Sequence, residues 1–105
     1  SRDIKERNLR SLRQSQRFSF IEDNLLDLDL AMIFRDVDYV FHLAGQPGVR
    51  ASWGSEFRRY CDDNVLATQH VLEAVKNSSV KRVVYASSSA APDATRARVC
   101  AWAAW

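Results

Sequence analysis

Apolar residues follow strand-like and helix-like spacing in turn along this chain, and one stretch stands out. Residues 38–50, DYVFHLAGQPGVR, form an apolar run that stops at two glycines and a proline. Apolar runs without polar alternation are typical of strands covered on both faces, as in parallel sheets. We therefore predict a buried strand over residues 37–43. Ligands lie beyond the carboxyl ends of such strands, so the loop over residues 44–55 is the expected binding region.

The same pattern predicts two further strands and three helices around this run. The strands cover residues 18–21 and 81–86, and the helices cover residues 4–16, 28–35 and 55–77. Asp27 is expected to cap the second helix and Ser55 the third, which Asn77 would end in a left-handed conformation. Alternating helices and strands indicate a parallel sheet with right-handed crossovers.

The third helix is predicted to bury one face at three- and four-residue steps. That face would carry Phe57, Cys61, Asn64 or Val65, Thr68, Val71 or Leu72, and Val75.

Length and composition fit one small globular domain. The chain has 105 residues, 47% hydrophobic and 27% charged, and no apolar run reaches the ~20 residues of a membrane helix. The start is polar and lacks an initiator Met or a signal-type core, which favours a cytoplasmic protein and a start inside a longer chain. Cys61 and Cys100 are expected to be reduced thiols, and no ligand spacing surrounds His42 or His70, so no metal site is expected.

Positive charge is concentrated at the N-terminus. Residues 1–17 carry six basic and two acidic residues, whereas the whole chain has a net charge of +2. A basic helix can bind nucleic acid or another anionic partner, but a solvated helix face is the favoured interpretation because no interleaved aromatic residues accompany the charges. We expect neither a nucleic-acid nor a membrane partner.

The last segment differs in character from the rest. Residues 91–105 are rich in Ala and Arg and end in two Trp residues without a periodic apolar face. A weak terminal helix and a non-native continuation explain this composition equally well. We accordingly divide the chain into residues 1–90 and an atypical tail, residues 91–105.

Three motifs together resemble the NAD-dependent epimerase/dehydratase family, the extended short-chain dehydrogenases that act on nucleotide sugars. They are YVFHLAGQPGVR at 39–50, DNVLAT at 63–68 and KRVVYASSSA at 81–90, in the family's order, and UDP-glucose and UDP-glucuronate 4-epimerases are the most similar members. The resemblance covers residues 17–90, and it implies that residues 1–90 are an incomplete NAD-binding domain of the Rossmann type. It implies an α/β, partial Rossmann-like three-layer fold with about three parallel strands, the parent strands three, four and five, and flanking helices.

The resemblance also implies NAD as cofactor, a nucleotide-sugar substrate and an intact protein that is often homodimeric. Leu43, Ala44 and Gly45 would pass along the cofactor's diphosphate and ribose, and Asn64 would lie beside it. Asn24 and Leu25 would contact the adenine. Ser87 would lie near the nicotinamide, and Ser89 would be the catalytic hydroxyl that bonds the sugar oxygen being oxidised.

Several family features are missing from the sequence. The glycine-rich fingerprint cannot be written with only Gly45, Gly48 and Gly54, and no Tyr is followed four positions later by Lys, the family's catalytic base pair. Asp23-Asn24-Leu25 replaces Gly-Asp-hydrophobic, and Ala91-Pro92-Asp93 replaces Val-Tyr-Gly. We therefore interpret the chain as an internal fragment of such an enzyme that is inactive alone. A non-catalytic binding module and a gene remnant are the alternatives.

Overall fold

The computed structural model describes residues 2–48 and 52–86. Its helices are α1 (Arg2–Leu12), α2 (Leu30–Ile33), α3 (Phe57–Tyr60) and α4 (Ala67–Lys76), and its strands are β1 (Tyr39–His42) and β2 (Arg82–Tyr85). A 3-10 turn, Phe34–Asp36, follows α2, another, Gly54–Glu56, precedes α3, and a π-helical turn, Cys61–Leu66, joins α3 to α4. None of the helices in these two ranges is both long and apolar enough to cross a bilayer.

The two strands pair in parallel, in the register Tyr39 with Arg82 through His42 with Tyr85. The connection between them carries α3 and α4, as expected for an α/β crossover. The predicted α/β class and parallel arrangement are therefore confirmed. The side chains of Tyr39 and Phe41 are 59% and 67% exposed, so the sheet face that a third layer would cover is open in the described residues.

The predicted strand over residues 18–21 is wrong. This segment is β-prone in composition, but it pairs with no strand in the described part of the chain. In the parent order 3-2-1-4-5-6, two strands separate strands three and four, and hydrogen bonds cannot cross that gap at ~4.8 Å per strand. Instead the segment lies beside α1 and the turn that follows it. Arg2 of α1 lies 3.3 Å from Glu22, and the guanidinium of Arg13, just after α1, lies 5.1 Å from the centre of the Phe20 ring.

The second helix is shorter than predicted, and its cap is different. The N–H of Met32 donates to the Asp29 carboxylate at 3.2 Å, so Asp29 and not Asp27 caps α2. The reason is local, because the N–H of Asp27 donates to the Asn24 carbonyl at 3.0 Å within a tight turn. That turn delays the start of the helix.

Both ends of the long helix differ from expectation. It opens with the 3-10 turn, without a side-chain cap, so Ser55 is not an N-cap. Asn77 has φ −104° and is not left-handed. The Ser78 hydroxyl and N–H both donate to the Val75 carbonyl, at 2.7 and 3.0 Å, and satisfy the end of the helix instead.

The core lies between α2, α4 and one face of the sheet. Leu30, Phe34 and Val71 are its buried centre, and the partly buried residues that surround them are Leu25, Leu28, Ile33, Val37, Val40, Ala74, Val75 and Val80. Val71 is 2% exposed, whereas Leu72 is 50% exposed. The prediction is therefore confirmed at the step Val71 or Leu72. It is wrong at Phe57 and at the step Asn64 or Val65, because the described residues cover only the face of the long helix that carries Ala67 and Val71.

Candidate functional site

A cleft of about 520 Å³ opens at the carboxyl end of β1, a volume usual for a ligand site. Its walls come from α1, from the turn before α2, from the loop after β1 and from the long helix. The residues that line it are Lys5, Asp23, Asn24, Leu25, Ala44, Gly45, Gln46, Arg59, Asp63 and Ala67. Ligands of open α/β sheets bind in this position relative to the strands.

The cleft brings together four of the residues predicted to contact the cofactor. Asn24 and Leu25 come from one wall, and Ala44 and Gly45 come from another, about twenty positions later in the chain. Leu43 precedes them in the loop and is half-buried. Of the remaining candidates, Asn64 lies against the loop, while Ser87 and Ser89 fall outside the described residues.

Asn64 holds the loop through both of its amide atoms. The N–H of Gln46 donates to Asn64 Oδ1 at 2.6 Å, and Asn64 Nδ2 donates to the Gln46 carbonyl at 3.1 Å. The side chain thus pairs with the backbone of Gln46 much as a neighbouring strand would. Two bonds to one residue fix both the position and the orientation of the loop at this point.

Gly45 lets Asn64 approach this closely. A Cβ at position 45 would lie 3.0 Å from Asn64 Oδ1, closer than side-chain carbons normally come to another heavy atom. Gly45 also lines the cleft. The glycine at position 45 is therefore explained by a contact within the protein.

The π-helical turn carries Asn64 and is followed at once by a second contact. The Thr68 hydroxyl donates to the Asn64 carbonyl at 2.7 Å, and Thr68 Oγ1 lies 2.9 Å from His42 Nε2. His42 ends β1 and is 8% exposed. Burial lowers the pKa of His42 below its ordinary value, so the imidazole is neutral at pH 7. Hydrogen-bonding turns of this π type are often found at functional sites.

Tyr60 makes a third contact with the same loop. Its hydroxyl donates to the Pro47 carbonyl at 3.1 Å, just before Gly48, which has φ +95°. Neither Tyr60 nor Gln46 was among the predicted site residues. The position of Tyr60, four residues before Asn64 on the same helix face, was the signal that could have identified it.

The turn before α2 leaves one polar group of Asn24 available to a ligand. Asn24 Oδ1 accepts from the N–H of Leu26 at 3.0 Å, and Asp23 Oδ1 accepts from the N–H of Asn24 at 2.8 Å. Because a backbone N–H can only donate, the amide oxygen of Asn24 is the atom facing Leu26. Its NH₂ group has no protein partner among the described residues and can donate to a ring nitrogen or carbonyl of a base.

Charges around the cleft are balanced. Lys5 and Arg59 are cationic, and Asp23 and Asp63 are anionic. Arg59 Nε lies 3.5 Å from Asp63 Oδ2, an exposed pair, whereas Lys5 forms no ion pair within the described residues. Lys5 is thus the cation free to meet a phosphate. Lys5 and Arg59 were not predicted as site residues, since nothing in the sequence shows which wall α1 joins. No group of three or more His, Cys, Asp and Glu in the described ranges could hold a metal ion.

Comparison with known proteins gives this cleft a family context. The sequence profile of the NAD dependent epimerase/dehydratase family matches residues 1–98. The uncharacterized UDP-glucose epimerase YtcB of Bacillus subtilis is 46% identical over 86 residues, which cover 82% of this chain and 27% of that protein. The UDP-glucuronate 4-epimerase of Thermodesulfobacterium geofontis is 35% identical over 89 residues, again 82% of this chain and 27% of that protein.

A solved structure of an epimerase also matches this chain, as the two sequences do. The UDP-glucuronic acid 4-epimerase of Bacillus cereus, in complex with UDP-glucuronic acid and NAD, matches with a TM-score of 0.79 and 40% identity. The match covers 84% of this chain and 28% of that one. The chain therefore spans about a quarter of the length of the relatives it matches. The predicted resemblance is confirmed, with NAD as the family's cofactor, and the chain belongs to the NAD dependent epimerase/dehydratase family.

Proposed function

We propose that residues 2–86 supply one wall of the NAD site in a nucleotide-sugar epimerase or dehydratase. The observation that carries the proposal is the cleft at the end of β1, which joins Asn24 and Leu25 to Ala44 and Gly45. In the reaction that the family resemblance implies, bound NAD takes hydride from the sugar. The hydride then returns to the opposite face of the keto intermediate, or water is lost.

The residues present fit a dinucleotide. The free NH₂ of Asn24 can donate to the adenine, and Leu25 offers an apolar contact to the ring. The loop over residues 43–45 would face the diphosphate and ribose, with Lys5 as a nearby cation. Asn64 acts from behind the loop, where it holds the Gln46 backbone. Ser87 and Ser89 keep their proposed places near the nicotinamide and the sugar oxygen.

We further propose that this 105-residue chain alone binds NAD weakly and does not turn over. A dinucleotide's phosphates are normally cradled by a glycine-rich loop at a helix N-terminus, and the sequence contains no such motif. It also contains no Tyr followed four positions later by Lys, so the family's proton acceptor is absent from these residues. The balanced charges of the cleft add little attraction for an anionic ligand.

An NADH titration followed by energy transfer from tryptophan to the nicotinamide tests the proposal. Trp53 is 78% exposed and follows the loop, so its emission should report bound cofactor. Trp53→Phe isolates its contribution from that of the two Trp residues in the tail. We expect weak, saturable transfer, and no conversion of UDP-glucuronic acid when NAD is supplied.

Two matched variants identify the cleft as the site. Asn24→Ala removes the proposed donor to the base and should weaken NADH binding about three- to tenfold, the effect of one hydrogen bond. Asn77→Ala makes the same change at an exposed residue that does not line the cleft, and should leave binding unchanged. Thermal melts by circular dichroism confirm that each variant is folded.

Three results would contradict the proposal. Absent or non-saturable transfer in the unmodified chain would remove the cofactor site. Equal effects of Asn24→Ala and Asn77→Ala would place binding outside the cleft. NAD-dependent epimerisation by the purified chain would overturn the statement that it is inactive alone.

Two properties of the whole protein are proposed with less structural detail. The first is a cytoplasmic location, which is proposed from the family resemblance. Homodimerisation is supported by the exposed apolar side chains of Phe57, Val65 and Leu72 on the long helix, which are 50–68% exposed. Sedimentation of the intact protein, with Leu72→Glu as the disrupting variant, tests the dimer.

No second function is favoured by the structure. The basic helix α1 was the candidate for an anionic partner, but the arginine at its start and the arginine just after its end are paired with carboxylates. Arg2 lies 3.3 Å from Glu22, and Arg13 lies 3.0 Å from Glu6. These pairs support the interpretation of α1 as a solvated helix that packs on residues 20–22.

A further inference from the structure

A chain of hydrogen bonds joins the two ends of the loop segment that faces the cleft. His42 Nε2 contacts Thr68 Oγ1 at 2.9 Å, and the Thr68 hydroxyl donates to the Asn64 carbonyl at 2.7 Å. The Asn64 side chain then binds the N–H and the carbonyl of Gln46, at 2.6 and 3.1 Å. The backbone from His42 to Gln46 runs through residues 43–45. Together with these hydrogen bonds it forms a closed ring, of which residues 43–45 are one side.

The direction of each bond in the ring follows from its chemistry. A carbonyl only accepts, so the single hydroxyl proton of Thr68 is directed to Asn64. Thr68 Oγ1 must then accept from His42, which requires the proton of the neutral imidazole on Nε2. His42 is thus the donor that begins the ring, and the Gln46 backbone lies at its other end.

Besides the ring, the loop is held by the hydrogen bond from the Tyr60 hydroxyl to the Pro47 carbonyl. Residues 43–48 belong to no helix or strand, and Asn64 is exposed, so its amide could take several rotamers. Thr68 fixes the backbone of Asn64, and the ordered backbone limits where the amide can point. The hydroxyl of Thr68 is itself oriented by the buried His42, which cannot move without disturbing the core.

We propose that His42 and Thr68 are positioning residues for the cofactor loop. They hold Asn64, and through it the Gln46 backbone, so that residues 43–45 keep the conformation that admits the diphosphate of a dinucleotide. The inference rests on the proposed function for its ligand. The ring itself rests only on the contacts given above.

The alternative is that His42 is merely a satisfied core histidine and that Thr68 stabilises the helix. The two roles differ in what a lost hydroxyl should change. A structural role affects the whole fold equally, whereas a positioning role affects the loop and leaves the sheet unchanged. Amide exchange at Gln46, compared with exchange at Val84 in β2, separates them.

The experiment uses Thr68→Val, which removes the hydroxyl at nearly constant volume, and Thr68→Ser, which keeps it. Amide exchange and NADH binding are measured for both variants and for the unmodified chain. In Thr68→Val we expect Gln46 to exchange about tenfold faster, as for the loss of one hydrogen bond, while Val84 is unchanged. NADH binding should weaken about tenfold, and Thr68→Ser should restore both values.

Asn64→Ala provides an independent variant, because its exposed side chain lies outside the core and its loss cannot prevent folding through a cavity. It removes the bonds to Gln46 directly and must reproduce the selective exchange effect. If Gln46 and Val84 change together in Thr68→Val, or if Gln46 does not change, the positioning role is refuted.

The ligand part has its own contrary outcomes. Faster exchange at Gln46 with unchanged NADH affinity would refute positioning for the cofactor. Absent NADH binding in the unmodified chain would refute the proposed function, and the cofactor role of the ring with it. The exchange measurement would still decide, in that case, whether the ring holds the loop.

Discussion

Gly45 and Asn64 should be energetically coupled, because the Asn64 side chain occupies space that a Cβ at position 45 would need. A Cβ at position 45 would lie 3.0 Å from Asn64 Oδ1 and 3.9 Å from Asn64 Cγ; apart from its chain neighbours, no other heavy atom of the described residues would lie within 4 Å. In Gly45→Ala the amide must move. It cannot move toward Gln46, since that hydrogen bond is already 2.6 Å long, so it must move away and weaken both bonds to Gln46.

The expected energies follow from the same contacts. Two hydrogen bonds between exposed groups contribute about 1–2 kcal/mol together, at the lower end of the usual range for each. Gly45→Ala loses up to this amount but gains about 0.4–1 kcal/mol, because alanine restricts the unfolded chain. The net destabilisation is about 1 kcal/mol. Asn64→Ala should cost the full 1–2 kcal/mol.

The double variant provides the decisive comparison. In the Asn64→Ala background both atoms that obstruct a Cβ at position 45 are gone, so Gly45→Ala should become neutral or stabilising. The coupling energy should then equal the value of the two hydrogen bonds, about 1–2 kcal/mol. Urea unfolding of the four proteins, followed by circular dichroism, measures it. If Gly45→Ala costs the same in both backgrounds, the two effects are additive and our explanation of Gly45 is wrong.

Three further predictions concern the core, a helix cap and pH. Val71→Ala should cost about 2 kcal/mol for two buried carbons and their cavity, and the half-exposed Leu72→Ala under about 1 kcal/mol, in urea unfolding. Asp29→Ala should cost about 1 kcal/mol and Asp27→Ala almost nothing, since only the first carboxylate caps α2; thermal melts would show it. Burial lowers the pKa of His42 below its ordinary 6.5, so the unfolded chain binds a proton more readily below pH 6.5. The urea midpoint should therefore be highest above pH 6.5 and fall as the pH decreases toward the folded-state pKa, and His42→Gln should reduce that slope.

The sequence predicts those parts of the fold that are decided by neighbouring residues. The unbroken apolar run before Gly45 predicts β1, and the helical spacing of residues 67–76 predicts α4. Residues 18–21 have the same β-prone composition, yet they form no strand in the described part of the chain. A strand needs a neighbour to pair with, and β-propensity describes how a residue fits such a surface, not whether the surface exists.

Some residues of the candidate site could be predicted from the sequence, and others depend on how the helices pack. Asn24, Ala44 and Gly45 were found from motif residues, and the fold brings them to one cleft. Lys5 was not found, because its place in the cleft depends on how α1 docks, which the thin apolar stripe of that helix does not specify. The cap at Asp29 was missed for a smaller reason: a turn at Asp27 competes for the residues that would begin the helix.

The π-helical turn accounts for how one helix reaches three points of the loop. In an α-helix, residues four apart are rotated by about 40°, so a contact made at the first position would be about 80° out of line at the third. Tyr60, Asn64 and Thr68 are four apart, yet they bond Pro47, Gln46 and His42 respectively. The turn over Cys61–Leu66 is wider than an α-helical turn and reduces this rotation. No Gly or Pro marks it in the sequence, so the geometry that holds the loop could be recognised only once the strand and the helix were in place together.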